Sequence, residues 1–214
     1  MRKGIAVAST VAALVLVSSP ASAVLTYDEG VSGDLSDTGS TPTVLTLGVG
    51  DNLIVGTTGH DTSGAIDRDY FSFVIGGGQS LTAIDVLLGT ETLGLSFIGL
   101  QEGNEVRVSP NAADAAGLLG WTHFGADDIG TDILDDMSVA SAGSTGFSVP
   151  LGPGTYSVWL QEISPGGAVP FRLNFVINEV PEPATWMMML LGFGGVGFAM
   201  RRNRRASLIY RKAA

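Results

Sequence analysis

The 214-residue chain contains no cysteine, so disulfides, thiolate zinc sites and cysteine nucleophiles are excluded and stability has to come from packing. Charge is scarce as well, at 15% of residues against 45% hydrophobic, which excludes a charge-rich disordered chain and a long coiled coil. Bases are nearly missing from the middle. Between positions 24 and 180 only Arg68, Arg107 and Arg172 stand against twenty acids, a net of −17. A field of that sign repels phosphate backbones and excludes nucleic acid as a partner of the central region. Histidine is limited to His60 and His123, and neither a G-x-S-x-G elbow nor an H-E-x-x-H helix occurs. Gly143-Ser144-Thr145-Gly146 does not substitute for the elbow, so the chain reads as a non-enzyme.

The remaining bases sit at the two ends, beside short apolar runs. Met1-Arg2-Lys3-Gly4 precedes the apolar run Ile5 to Val17, and Ala21-Ser22-Ala23 follows. Residues 1–23 therefore read as a secretory signal helix with cleavage after Ala23, the small residues Ala21 and Ala23 marking the site. At the other end Val180-Pro181-Glu182-Pro183-Ala184-Thr185-Trp186 leads into the apolar stretch Met187 to Met200, and Arg201, Arg202, Arg204 and Arg205 follow at once. The stretch predicts a short transmembrane helix over about 186–200, with the Arg cluster and the basic tail 206–214 cytoplasmic and the domain outside. At ~1.5 Å per residue such a helix is ~22 Å long against a hydrocarbon core of ~30 Å, a marginal anchor.

These residues resemble the PEP-CTERM sorting domain of bacterial exported proteins, in its PEPxxW form, over Val180 to Arg205. Pro181, Glu182, Pro183 and Trp186 fall on the motif positions, and Met187 stands where Ala is usual. The resemblance implies recognition by exosortase, a membrane transpeptidase-like enzyme that cuts near the Pro-Glu-Pro segment. It also implies release or transfer to the cell surface, often together with exopolysaccharide. Gly192-Phe193-Gly194-Gly195-Val196-Gly197 matches a dinucleotide-binding pattern, but no strand precedes it and no acid follows about 20 residues on.

Residues 24–179 read as one all-β domain. Val169, Phe171, Leu173, Phe175 and Ile177 alternate with less apolar neighbours, as do Tyr156, Val158 and Leu160, and the two runs are expected to pair as a hairpin across residues 164–167. Phe71, Phe73 and Ile75 form a third run, expected to pair with Ser80–Leu88 across the triple glycine Gly76-Gly77-Gly78. Further runs at 44–47, 53–55, 93–100, 106–108 and 147–151 bring the total to about nine strands, with 111–119 alone helix-like. Nine strands without intervening helices indicate a sandwich or barrel. Asp67-Arg68-Asp69-Tyr70-Phe71-Ser72-Phe73 and the late Gly154-Thr155-Tyr156-Ser157-Val158 resemble the bacterial pre-peptidase C-terminal domain. That resemblance implies a jelly-roll-like antiparallel β-sandwich, an accessory domain some of whose relatives bind calcium or collagen.

Carboxylates are the main candidate chemistry. Asp127, Asp128, Asp132, Asp135 and Asp136 lie within ten residues, and Asp67 and Asp69 stand just before a strand. Hard oxygen ligands on loops suit Ca²⁺, and Asp127, Asp128 and Asp132 are the expected ligands; the alternative is a solvated acidic loop and no cofactor. Trp121 and Trp159 either stack on a glycan or cover a sheet face. The expected protein is an exported, exosortase-sorted surface or matrix component with a non-catalytic binding or structural domain. The alternative is a secreted hydrolase acting on polysaccharide or peptide, which would need paired acids near the two Trp.

Overall fold

The computed structural model describes residues 24–60, 63–91, 93–162, 164, 166–180 and 183–211. The signal segment, with Ala21 and Ala23, lies outside the described residues, as do Pro181, Glu182 and residues 212–214. The chain runs β1 (Val24–Asp28), α1 (Glu29–Ser32), β2 (Thr43–Val44), β3 (Gly50–His60), β4 (Ile66–Ile75), β5 (Gln79–Val86), β6 (Ser96–Glu102), β7 (Gly120–Phe124), α2 (Leu134–Ser138), β8 (Gly154–Gln161), β9 (Ala168–Glu179) and α3 (Pro183–Arg211). The strands form one curled, mostly antiparallel sheet in the order β5-β9-β3-β4-β8-β6-β7, with β1 added parallel to β3 and β2 parallel to β4.

Strand alternation explains the curl. Phe71, Phe73 and Ile75 of β4 and Phe171, Leu173, Phe175 and Ile177 of β9 all point inward, and both sets belong to one buried cluster. Although β4 and β9 are not neighbours in the sheet, the Phe175 ring meets Phe71 and Phe73 edge-on at 5.6 and 5.7 Å. The two halves of the sheet therefore face each other across an aromatic core.

Both expected hairpins are corrected. β4 is hydrogen-bonded to β8 along one edge and, at residues 66–67 and 71–72, to β3 and β2 along the other, whereas β5 pairs with β9. β8 lies between β4 and β6, and β9 between β3 and β5. The connections after β4 and β8 thus carry the chain from one half of the curled sheet to the other. The strand total agrees with the expected nine, but its members differ. Residues 106–108 and 147–151 are not strands, β1 and β7 were not anticipated, and 111–119 consists of turns and bends rather than helix.

The C-terminal helix also departs from expectation. α3 continues past Met200 through the Arg cluster to Arg211, so residues 206–211 extend the helix instead of forming a separate tail. Its described side chains, from Trp186 through Met200, are exposed. Among the described residues no helix is long and apolar enough to cross a membrane. The expected transmembrane helix at 186–200 is therefore not supported: its fifteen residues include Gly192, Gly194, Gly195 and Gly197, which dilute its apolar character, and charge follows immediately.

Candidate metal centre

The alternation that sends Phe71 and Phe73 into the core sends Asp67 and Asp69 to the same face at the start of β4. Asp69 is fully buried as a result. β1, lying parallel to β3 with Asp28 opposite Val55, delivers α1 over the middle of β3. Asp28 caps α1 by accepting from the Gly30 N–H at 2.9 Å, and Glu29 then reaches down to the sheet. Its Oε2 accepts from the Thr57 N–H at 2.7 Å and its Oε1 from the Leu35 N–H at 3.1 Å. Gly56 makes room for this approach, since a Cβ there would stand 2.5 Å from the Glu29 carboxyl carbon. Buried Leu35 and the Tyr70 N–H bond to the Ser36 carbonyl at 2.9 Å hold the following loop against β4.

Five carboxylates converge in this way. Glu29, Asp34 and Asp69 offer oxygens within 4.8 Å of one another, and Asp34, Asp37 and Asp67 do likewise, with Asp34 common to both groups. Neither oxygen of buried Asp69 has a hydrogen-bond donor. Arg68 points to the opposite sheet face, where its Nε donates to Gln161. Among the described residues the one ion pair is exposed Arg107 with Glu105, at 3.3 Å.

The electrostatics follow from this crowding. Burial, then the charges of Asp34, Asp37 and Glu29, push Asp67 up to about 7. Burial, reinforced by Glu29, Asp67 and Asp34, pushes Asp69 much further up. Burial also raises Glu29, against the lowering effect of its two backbone donors. Carboxylates that resist ionising together, one of them buried without a donor, form a donor set that a hard divalent cation fits: Ca²⁺ takes ~6–8 oxygens at ~2.3–2.6 Å.

The residues expected from sequence to hold the ion lie on the loop after β7. Asp127 lies on a single 3₁₀ turn, Ala126–Asp128, and Asp128 Oδ2 accepts from the Gly125 N–H at 2.7 Å. Asp132 Oδ1 accepts from the N–H groups of Ile84 and Leu134 at 2.8 and 2.9 Å, which fastens α2 to β5. Asp127, Asp128 and Asp132 belong to neither converging group. Sequence reasoning noted Asp67 and Asp69 but missed Glu29, Asp34 and Asp37. The available signal was three acids in a Gly- and Ser-rich stretch, yet nothing in their spacing joins them to β4.

Other candidates are also placed. Trp121 lies on β7, and Trp159 on β8 is buried against Tyr70 at 5.9 Å and Phe97 at 4.7 Å, so it covers the outer face of the sheet. Ser144 Oγ donates to the Ser141 carbonyl within a turn. Among the described residues, the domain's last backbone bond before α3 is the Val180 N–H to the Gly78 carbonyl at 2.7 Å. Pro183 opens α3, Trp186 and Arg201 are exposed on it, and Arg202, Arg204 and Arg205 follow on the same helix.

Comparison with known families agrees with this last segment. A family model described as the PEP-CTERM protein-sorting motif matches residues 179–205, which points to an exported protein sorted by exosortase. No curated protein and no solved structure matches the chain.

Proposed function

We propose that this is an exported surface or matrix protein whose jelly-roll-like β domain is a non-catalytic binding or structural module, stabilised by Ca²⁺ at Glu29, Asp34, Asp37, Asp67 and Asp69. The observation that carries the sorting part is positional. The matched motif begins at Glu179, the last residue of β9, and the packed domain makes its final backbone bond at Val180. A cut at the Pro-Glu-Pro segment would free the whole β domain without breaking a strand. Exosortase would read the Pro-Glu-Pro segment, the apolar stretch and the Arg cluster before that cut, and exopolysaccharide would surround the product.

The non-catalytic reading is supported by what surrounds the two indoles. Glycoside hydrolysis uses two carboxyl groups ~5–9.5 Å apart across one cleft. The described residues lining the cleft at Trp121 and Trp159 include a single acid, Asp114. Mass spectrometry of the protein recovered outside the producing cell tests the sorting claim. An N-terminus at Val24 and a C-terminus within or beside Pro181–Pro183 are expected, and a mature species ending at Ala214 would overturn it.

A further inference from the structure

Residues 24–38, comprising β1, α1 and the loop after it, form a strap across β3 and the start of β4. Val24, Leu25 and Val31 on it are more than half exposed, and Leu35 is its one buried side chain. Much of its bonding is internal: the Tyr27 hydroxyl donates to the Gly33 carbonyl at 2.9 Å, the Gly33 N–H to the Glu29 carbonyl at 3.1 Å, and the Gly30 N–H to Asp28. Toward the sheet it has the short parallel ladder of β1 on β3, the Thr57 N–H on Glu29, and the Tyr70 N–H on the Ser36 carbonyl. Clefts of about 410 and 200 Å³, both lined by Asp34, lie between the strap and β3 and between the strap and the start of β4. At Gly39 the chain is pinned again. Its carbonyl accepts from the Val106 N–H at 2.7 Å, and a Cβ there would stand 2.6 Å from the Val106 carbonyl oxygen.

The five carboxylates straddle the seam between strap and sheet. Glu29, Asp34 and Asp37 belong to the strap and Asp67 and Asp69 to β4, and each converging group takes two acids from the strap and one from the strand. Closing the seam therefore brings like charges together. Among the described residues no base offsets them, since Arg68 bonds Gln161 on the opposite face and the one ion pair is Arg107 with Glu105. An independent observation points to a cation there. Asp69 is fully buried, neither of its oxygens has a donor, and it lies within 4.8 Å of strap oxygens from Glu29 and Asp34. Buried carboxylates are ordinarily paired or metal-bound.

We propose that Ca²⁺ latches this strap: residues 24–38 dock on β3 and β4 when the ion bridges the seam, and swing out from the Gly39 anchor when it leaves, while the rest of the sheet stays closed. The core permits this, because Leu35 is the strap's one member of the buried cluster that joins the two halves of the sheet. Local opening of a weakly anchored segment needs no global unfolding. Extracellular calcium modules bind with Kd of about 0.1–1 mM, so a latch of that kind closes in calcium-rich surroundings and there hides Tyr27 and Leu35 from proteases. This inference rests on the reading of the five carboxylates as a calcium site and adds which part of the fold answers to the ion.

The test compares the full chain in EDTA, in CaCl₂ at a hundredfold excess over Kd and in NaCl of matched ionic strength, by amide exchange, chymotrypsin digestion and calorimetry. In EDTA the Thr57 and Tyr70 amides, each bonded to a strap oxygen, should exchange well before the amides of the β4–β8 and β5–β9 ladders. Chymotrypsin should cut after Tyr27 and Leu35 while the β domain beyond stays intact. Calcium should slow that exchange and both cuts about a hundredfold, the factor 1 + [L]/Kd, and NaCl should not. Leu35→Ala removes no ligand oxygen, yet it should weaken apparent calcium affinity severalfold, because the binding-competent closed state is then less populated. The exchange pattern of the unsubstituted protein decides the matter even if the variant fails to fold. Calcium binding with Thr57 and Tyr70 as protected in EDTA as the ladder amides, or EDTA cuts spread through the whole β domain, would overturn the latch and leave the calcium site standing. Absence of any calcium heat would overturn both.

Discussion

Calcium should reverse the pH dependence of stability of this domain. Asp67 is held at about 7 instead of its ordinary 3.8, so without a cation the folded state keeps a proton that the unfolded state has already released. A group raised in this way stabilises the fold fully below its unfolded value and loses that contribution as pH rises through the folded value. For Asp67 the window runs from about pH 4 to 7, and the raised Asp69 and Glu29 act in the same direction. At ~1.36 kcal/mol per pH unit the Asp67 displacement corresponds to ~4 kcal/mol. Water around this partly exposed carboxyl screens that to ~1–2 kcal/mol. The calcium-free melting temperature should accordingly fall between pH 5 and pH 8. A cation that binds only the folded state adds RT ln(1 + [L]/Kd), ~2.7 kcal/mol at a hundredfold excess over Kd, equivalent to ~5–10 °C for a domain of roughly 150 residues. Because the ion displaces protons from Asp67 and Asp69, its effect should grow with pH, and calorimetry in buffers of different ionisation enthalpy should detect the proton release. Differential scanning calorimetry with CaCl₂ against NaCl of matched ionic strength measures the shift. Asp69→Asn should remove most of the calcium response while leaving the calcium-free protein folded, since the amide is nearly isosteric with the protonated carboxyl. Equal shifts from the two salts would refute the site, because screening alone makes them equivalent. Loss of the response in Asp127→Asn with Asp128→Asn, but not in Asp69→Asn, would move the site to the loop after β7.

Three further outcomes are expected. Replacing Arg201, Arg202, Arg204 and Arg205 by Ala should weaken inner-membrane retention of the precursor and disturb its processing, read by fractionation and mature mass, because positive flanking charge sets orientation. Phe175→Ala should cost ~3–5 kcal/mol in urea unfolding, since it leaves Phe71 and Phe73 facing a cavity where the two halves of the sheet meet. Gly56→Ala should displace Glu29 from Thr57, because the new Cβ would stand 2.5 Å from its carboxyl carbon, and should lower calcium affinity more than it lowers calcium-free stability; an unchanged affinity would count against Glu29 as a ligand.

What the sequence determined by itself was local. The alternation at Val169–Ile177 and Phe71–Ile75 identifies strands and their inward faces, because side-chain direction along a strand depends only on parity. The Pro-Glu-Pro segment, apolar stretch and Arg cluster identify the sorting signal for a similar reason: such a signal is contiguous, and the matched motif covers just that segment. Pairing was decided elsewhere. The turns after β4 and β8 look like hairpin turns, yet β8 and β9 each have both edges occupied by strands distant in sequence and β4 lies between β8 and the preceding β2 and β3, and that competition is visible only in the curled sheet. The carboxylate cluster and the aromatic cluster divide along the same line. Asp67 and Asp69 were noticeable because they flank a strand, and Trp121 and Trp159 because they are indoles. Only tertiary structure brings Glu29, Asp34 and Asp37 over the first pair, through the parallel addition of β1 and the loop tied at Ser36, and only cross-strand register sets the second pair around Phe97. Asp127, Asp128 and Asp132 drew attention because they are close in sequence, but oxygen ligands have to meet in space, and these three belong to neither converging group.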